Sequence, residues 1–194
     1  MGFDYETGDD FDSGSKFLEQ PGEYHMVVEA MEEKPRKQDG ELIANAWYAA
    51  KLKVLAGSSP GQEDKEHRVV FFKPNPDSKD GGDFARKKSD RFLLAVGLIT
   101  PEDRGKKVSL DLQHAVMRQL LIKLDGRKDD RGRNQLDISF ANIFHVDDPE
   151  AASYPRDGAA IALIPQELRR IGGKPAKAQE PKVNAAPKAD FSSI

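Results

Sequence analysis

The stretch that decides the fold is residues 118–140, which read RQLLIKLDGRKDDRGRNQLDISF. On both sides of a polar, glycine-containing loop, apolar residues recur at every second position. These residues are Leu120, Ile122 and Leu124 before the loop, and Leu136, Ile138 and Phe140 after it. Because successive side chains of a strand point to opposite faces, this spacing predicts a β-hairpin whose even-numbered residues share one face.

The loop of this predicted hairpin concentrates positive charge. It contains four cations, Arg127, Lys128, Arg131 and Arg133. Phosphate backbones are bound mainly by lysine and arginine side chains, so the loop is a candidate phosphate-binding element. The same loop holds three aspartates, Asp125, Asp129 and Asp130, which favour the alternative of a solvated tip with most of its charge neutralised.

Length and composition indicate one domain with tails. A chain of 194 residues fits one domain better than two, and its 38% apolar and 32% charged residues allow one modest core. The absence of cysteine excludes disulfides and thiolate metal sites. No run of about 18 apolar residues is present, and residues 1–6 are acidic where a secretory signal is basic. We therefore expect a soluble protein in the cytoplasm.

The net charge of −3 is unevenly distributed along the chain. Residues 1–15 carry five acidic and no basic side chains, whereas residues 16–148 carry 23 of each. Beyond residue 172 the sequence is rich in lysine, proline and alanine and lacks an apolar period. We therefore predict a disordered acidic segment at 1–15, a domain at 16–148, a small C-terminal extension at 149–171 and a flexible tail at 172–194.

Upstream of the hairpin, the pattern predicts three strands followed by a helix. Alternation predicts strands at residues 24–33, ended by Pro35, at 46–55 and at 68–73. Tyr24, Met26, Val28 and Ala30 form the apolar face of the first strand. At 84–96 the period becomes helical, with Asp83 as the N-cap and Gly97 as the terminator. The helix is expected to turn an apolar stripe to the core and a charged side to solvent. The stripe holds Phe84, Ala85, Phe92, Leu93 and Val96, and the solvated side holds Arg86, Lys87, Lys88, Asp90 and Arg91.

The predicted order is three strands, one helix and two strands. This order is typical of a mainly β protein with a five-stranded OB-fold barrel and one helix between strands 3 and 4. The sheet face and hairpin loops of that fold take up oligonucleotides. A mixed α+β sheet of another topology gives the same order of elements.

Two aromatic residues are candidates for stacking on bases. Trp47 shares a strand face with Lys51 and Lys53, and Phe72 would share a face with Arg68. Stacking of a base on an aromatic ring contributes about 1–3 kcal/mol and tolerates any sequence. In the alternative interpretation, Trp47 covers a barrel edge or packs under the loop at 75–82.

Phe71 and Phe72 are adjacent in one predicted strand and therefore point to opposite faces, so one of them belongs to the core. The predicted DNA-binding set combines the two aromatic candidates with cations of the strands and of the hairpin loop. Its members are Trp47, Lys51, Lys53, Arg68, Phe72, Lys123, Arg127, Lys128, Arg131 and Arg133.

Features of a catalytic centre are weak in this sequence. The four histidines lie far apart and none has a second ligand three or four residues away, so we expect no metal. The adjacent pairs Asp129–Asp130 and Asp147–Asp148 point to opposite faces of a strand, which disfavours a two-carboxylate nuclease site. No glycine-rich phosphate loop and no nucleophile with a base are recognisable. We expect a protein that is not an enzyme and carries no cofactor.

Four segments carry a resemblance to a known family. They are KFLEQPGEYH at 16–25, FFKPN at 71–75, the helix from DFARKK at 83–88 to LAVGL at 94–98, and RQLLIKL at 118–124. Together they resemble a family of phage-encoded single-stranded DNA-binding proteins, over roughly residues 16–146.

The resemblance implies an OB-fold that coats single-stranded DNA without base preference, beside phage recombinase, annealing or replication proteins. It also implies a C-terminal tail that recruits partners, here through Asp190, Phe191 and Ile194. This tail departs from the acidic tails of such proteins because it carries Lys182 and Lys188. The alternative function is an OB-like protein-interaction module or accessory subunit that docks a phage or host enzyme.

Overall fold

The computed structural model describes residues 15–38, 41–72, 81–129, 131–132 and 134–169, and for residues 34–38, 41–47, 72, 81–82 and 167 it describes the backbone alone. The predicted acidic segment, apart from Ser15, and the predicted tail at 172–194 lie outside the described residues. So do Arg133 and the proposed partner-binding residues Asp190, Phe191 and Ile194.

The described chain is mainly β, as predicted, with an open antiparallel sheet and two helices. Its elements are β1 Gly22–Gln38, β2 Glu41–Gly57, β3 Glu66–Phe72, α1 Gly81–Ala95, β4 Gln119–Lys128, β5 Asn134–Asp137, β6 Ile143–His145 and α2 Gly158–Ala162. The strand order is β3-β2-β1-β4-β5, and β6 pairs with β4. The hairpin at 118–140 is therefore confirmed, and β6 raises the predicted five strands to six.

Phe140 does not continue the second strand of that hairpin. β5 ends at Asp137, and Phe140 begins a 3-10 turn that follows it. Ile138 is buried and Leu136 is packed partly against the core, as the even-numbered pattern predicts. The expected alternation therefore extends through Ile138 but not to Phe140.

A β-bulge shifts the inward face of β1. Tyr24, Met26 and Val28 are fully buried, but the next inward residue is Met31 and not the predicted Ala30. The register passes from Val28 opposite Leu52 to Ala30 opposite Lys51, which leaves Glu29 as an extra residue. One extra residue reverses the alternation, so odd-numbered residues face the core beyond it.

Pro35 does not end the first strand, contrary to the prediction. β1 continues to Gln38, and the register shifts between Lys34, which is opposite Trp47, and Arg36, which is opposite Ile43. Proline lacks an N–H for the ladder, and a strand accommodates it where the pairing is interrupted. Toward the tip of the β1–β2 hairpin, β3 pairs with β2 only as far as Trp47. The hairpin therefore projects beyond the end of β3.

The helix α1 lies where it was predicted, with two corrections. It begins at Gly81, so Asp83 is a first-turn residue that pairs with Lys87 at 2.7 Å and is not the N-cap. Gly97 is the terminator, with a φ of +70° that favours glycine. Phe84 is 52% exposed and not a core residue, because its ring contacts Phe140, 5.7 Å away, instead of the sheet.

The described part of the C-terminal extension, residues 149–169, packs on the outer face of β4 and β1. Leu121 and Phe144 from the sheet form a small buried cluster with Ala151, and Tyr154 packs against it. The guanidinium of Arg156 donates to the backbone carbonyls of Val146, Ala151, Ala152 and Tyr154. Apolar contacts therefore hold the extension against the sheet, while Arg156 braces the extension's own backbone and reaches Val146, the residue after β6.

A buried histidine adds a directional hydrogen-bond chain to this attachment. The N–H of Asp157 donates to Nδ1 of His25 at 3.1 Å, so Nε2 carries the imidazole proton and donates to Oε1 of Gln119 at 2.9 Å. The amide nitrogen of Gln119 donates in turn to the carbonyl of Ala160 at 2.9 Å. Burial lowers the pKa of His25, which is therefore neutral at pH 7.

Replacing Gly57 with alanine is expected to lower the free energy of unfolding by about 1–3 kcal/mol, because it overpacks the core. A β-carbon at Gly57 would lie 2.6 Å from two ring carbons of Tyr24. That ring is fully buried, and its hydroxyl donates to the carbonyl of Gln20 at 2.7 Å, so it has no room to move. Gly126→Ala is the matched control, since its β-carbon would meet nothing closer than 3.6 Å. Equal urea midpoints for the two variants would contradict the expectation.

Candidate nucleic-acid interface

The strand register places the predicted residues of β2 and β3 on one face. Trp47 lies opposite Phe72, Lys51 opposite Arg68, and Lys53 opposite Glu66. Opposed residues share a face of a sheet, and so do residues two apart on one strand. We call the face that carries positions 47, 51, 53, 68 and 72 the sheet face. The register thus joins the two predicted strand faces, Trp47 with Lys51 and Lys53 and Phe72 with Arg68, into one, and their role in DNA binding stays a prediction.

Phe71 is the core member of the adjacent phenylalanine pair. It is 1% exposed, and its ring lies 4.9 Å from that of Tyr48 and 4.6 Å from that of Phe92. Phe72 therefore occupies the register position on the opposite, outer side of β3. The stacking role predicted for Trp47 and Phe72 stays a prediction, because their side chains lie outside the described atoms.

The cations of the sheet face are all engaged in ion pairs. Lys51 contacts Glu66 at 3.0 Å and Glu29 at 3.1 Å, and these carboxylates raise its pKa. Lys53 contacts Asp64 at 2.8 Å, and Arg68 contacts Glu32 at 2.8 Å. A phosphate that binds here therefore competes with a carboxylate.

The described ion pairs leave this face without net charge. Its cations are Lys16, Lys51, Lys53 and Arg68, and its carboxylates are Glu29, Glu32, Asp64 and Glu66. Glu66 is central, because it also accepts Lys16 at 2.7 Å, and these lysines hold its pKa below the usual range. The carboxylates that neutralise the face come from β1, from β3 and from the β2–β3 connection, so they were not apparent from β2 alone.

The hairpin of β4 and β5 differs from the sheet face. Lys128 and Arg131 are exposed, and within the described chain their side chains have neither an ion pair nor a hydrogen-bond partner. Arg127 pairs with Asp137 at 3.2 Å. Asp129 accepts the backbone N–H of Arg131 at 2.9 Å and so shapes the turn. Two of the four predicted loop cations are thus available for an incoming anion.

Lys123 lies apart from the other predicted cations. It is half-buried on β4 and stands opposite Glu23 of β1. It shares the outer face of β4 with Leu121, which the C-terminal extension covers. Lys123 therefore borders the extension and is separated from the sheet-face cations by β1.

One basic residue was misjudged from the sequence. Lys88 of α1, assigned to the solvated side of the helix, is half-buried with its ammonium 5.8 Å from the centre of the Phe71 ring. The sequence spacing does indicate this position, because Lys88 lies four residues from Phe84 and from Phe92 and therefore on the same helical stripe.

Within the described ranges, no three His, Asp or Glu side chains lie close enough together to hold a metal ion. No helix in the same ranges is long and apolar enough to cross a membrane. The sequence matches no protein-family model, and no curated protein is significantly similar to it.

Proposed function

We propose that this chain is a non-catalytic single-stranded DNA-binding protein of the OB type, which coats single strands in phage replication or recombination. The observation that carries the proposal is the pair of exposed, unpaired cations, Lys128 and Arg131, at the β4–β5 hairpin. OB domains bind oligonucleotides with the face of strands 2 and 3 and with the loops of the strand 1–2 and strand 4–5 hairpins. These cations occupy the latter loop.

The topology supports an OB-type arrangement. β1 pairs with β2 along most of its length and with β4 over residues 22–27, so one long strand is shared between two partners. The helix α1 follows β3 and precedes β4, as in the predicted order. The segment in which β1 pairs with β4 has the β1–β2 hairpin beyond one end and the β4–β5 hairpin beyond the other. A strand that contacted both hairpins would cross the sheet face.

In the proposed binding mode, the two parts of the interface have different roles. Lys128 and Arg131 hold phosphates directly, while Trp47 and Phe72 stack on bases. Lys51, Lys53 and Arg68 exchange their carboxylate partners for phosphates. Because exposed ion pairs contribute little free energy, this exchange costs little but also yields little. The hairpin therefore supplies most of the electrostatic attraction, and stacking distinguishes single strands from duplex.

Oligothymidine is expected to quench the fluorescence of Trp47, the single tryptophan of the chain, with an affinity that falls steeply as salt rises. The double variant Lys128→Ala/Arg131→Ala is expected to reduce the slope of log affinity against log salt by about 1.4, since each lost single-strand phosphate contact removes about 0.7. A fluorescence titration at several salt concentrations measures both effects.

The matched control is Arg104→Ala/Lys106→Ala, which removes two exposed cations from the connector after α1. It is expected to keep the wild-type slope. Unchanged emission together with no mobility shift at low salt would overturn the proposed function. An equal loss of slope in both double variants would overturn only the role of the hairpin.

The neutral sheet face favours a second candidate, an OB-like module that binds another protein. Protein interfaces tolerate balanced charge, and several apolar side chains of the described chain are exposed, among them Phe17 at 62% and Met117 at 74%. Capture of a phage or host enzyme by a protein that shows no oligonucleotide affinity at low salt would favour this candidate. Binding of a labelled single strand that excess duplex fails to displace would favour the first.

A further inference from the structure

A short segment before β1 extends the sheet face at its β3 edge. Phe17 forms a parallel bridge with Glu66, the first residue of β3. The N–H of Glu66 donates to the carbonyl of Lys16 at 2.9 Å, and the N–H of Leu18 donates to the carbonyl of Glu66 at 2.8 Å. Because residues paired in a bridge share a face of the sheet, Phe17 lies on the sheet face beside Glu66.

The ring of Phe17 is exposed although its backbone is held in place. Phe17 is 62% exposed, whereas the next residue, Leu18, is 6% exposed and belongs to the core. The residue after it is also held, because the N–H of Glu19 donates to Oε1 of Gln62 at 3.3 Å. An aromatic ring on a held backbone offers a stacking surface with little ordering left to occur on binding.

Lysine side chains surround this position. Lys16 contacts Oε1 of Glu66 at 2.7 Å, and Lys51 contacts the same oxygen at 3.0 Å. Lys53 stands opposite Glu66 on β2. Because Glu66 keeps Lys51 when Lys16 moves away, Lys16 can turn to a phosphate without leaving that carboxylate unpaired. The side chain of Lys16 is 67% exposed and so is accessible to one.

The place of Phe17 fits the course of a strand on the outer side of the sheet. The C-terminal extension covers the outer face of β4 and β1, so this course follows β2 and β3. Glu66 lies six residues from Phe72 along β3, or about 20 Å at about 3.3 Å per residue. The predicted aromatic pair of Trp47 and Phe72 therefore lies at one end of the course, and Phe17 lies at the other.

We propose that Phe17 stacks on a base of the bound single strand and that Lys16 contacts the neighbouring phosphate, which makes the β3 edge a further subsite of the interface. Every base has a π face, so an aromatic ring stacks on any of them, and cations beside such rings follow the backbone. One OB domain covers about 4–16 nucleotides, which is more than two rings can stack. The subsite deepens the proposed function and rests on it.

The first test measures the affinity of the whole chain for labelled oligothymidine by fluorescence anisotropy at several salt concentrations. Phe17→Ala is expected to weaken binding by about 5- to 150-fold, the equivalent of one stacked base, and to keep the wild-type salt slope. Lys16→Ala is expected to reduce that slope by about 0.7. Phe17→Trp keeps a stacking ring and is expected to retain the affinity, whereas Phe17→Leu keeps only apolar bulk and is expected to lose it.

Phe84→Ala is the matched control, because Phe84 is 52% exposed but lies on α1, where its ring contacts that of Phe140. It is expected to bind as the wild type does. The urea midpoint of each variant shows whether it is folded.

A second measurement needs no variant. Oligothymidine with one base replaced by 5-iodouracil is bound to the wild type and irradiated, and the modified residues are identified by mass spectrometry. An adduct is expected at Phe17 and not at Phe84. If Phe17→Ala does not fold, this adduct decides the question alone.

Two results would overturn the subsite while the proposed function stands. In a protein that binds oligothymidine, these are wild-type affinity in folded Phe17→Ala, or the absence of an adduct at Phe17. Wild-type affinity in Phe17→Leu would overturn stacking in favour of a simple apolar contact. If the wild type binds no oligothymidine at low salt, the proposed function fails and the subsite fails with it.

Discussion

Replacing Phe71 with alanine is expected to lower the free energy of unfolding by about 3–5 kcal/mol. Its ring is 1% exposed and lies between those of Tyr48 and Phe92, so its removal leaves a cavity that close-packed neighbours fill only in part. The loss is a large fraction of the roughly 5–15 kcal/mol that stabilises a domain. Urea unfolding followed by far-UV circular dichroism measures it.

Phe72→Ala is the contrasting variant, one residue away on the outer side of β3. We expect it to shift the urea midpoint much less and to weaken oligothymidine binding by about 1–3 kcal/mol, the contribution of one stacked base. The opposite outcome, with Phe72→Ala unfolded and Phe71→Ala stable, would show that the register of β3 against β2 is wrong.

Acidification is expected to weaken the attachment of the C-terminal extension through His25. Burial holds the folded-state pKa of His25 below its ordinary value of 6.5, so the unfolded chain binds more protons as the pH falls. The contribution of neutral His25 to the free energy of unfolding is therefore fully present above pH 6.5. It is lost as the pH falls toward the lower folded-state pKa. Protonation of Nδ1 also removes the acceptor for the N–H of Asp157.

Urea unfolding at pH 7.5 and at pH 5.0 measures this effect in the wild type and in His25→Gln. At pH 7.5 the variant is expected to lose about 1–3 kcal/mol for each buried partner left unsatisfied. Its stability should depend less on pH than that of the wild type, and a remaining dependence is expected from His67, whose pKa is lowered in the same direction.

The control is His114→Gln, because His114 is exposed and lies only near Asp111. It should keep the wild-type pH dependence. Hydrogen exchange at the amide of Asp157, corrected for the intrinsic rate at each pH, should quicken in His25→Gln. An undiminished pH dependence of the free energy of unfolding in that variant would show that His25 is not its cause.

Periodicity predicted most of the core but not its irregularities. Leu120, Ile122 and Leu124 face inward as their spacing indicates, because β4 pairs with β1 without interruption. Ala30 was misplaced because a bulge at Glu29 depends on how β2 pairs with β1, and one strand alone does not show it. Phe84 was misplaced because a helical stripe does not reveal where the sheet beneath it ends.

For the candidate site, the amino-acid sequence by itself determined which residue types share a strand face: Trp47 with Lys51 and Lys53, and Phe72 with Arg68. That knowledge follows from the two-residue period of a strand, which is a local property. Tertiary structure decided that these two faces are one, by placing β3 beside β2 in the register that opposes Trp47 and Phe72.

Tertiary structure alone also decided which cations are free. Glu29, Glu32, Asp64 and Glu66 neutralise the sheet face, whereas Lys88, Lys128 and Arg131 form no ion pair in the described chain. Charge pairing acts through space over a few ångströms and joins residues that are distant in sequence. The sequence therefore determined a basic and aromatic surface in outline, and only the folded chain shows that its unpaired charge lies at the β4–β5 hairpin and beside α1.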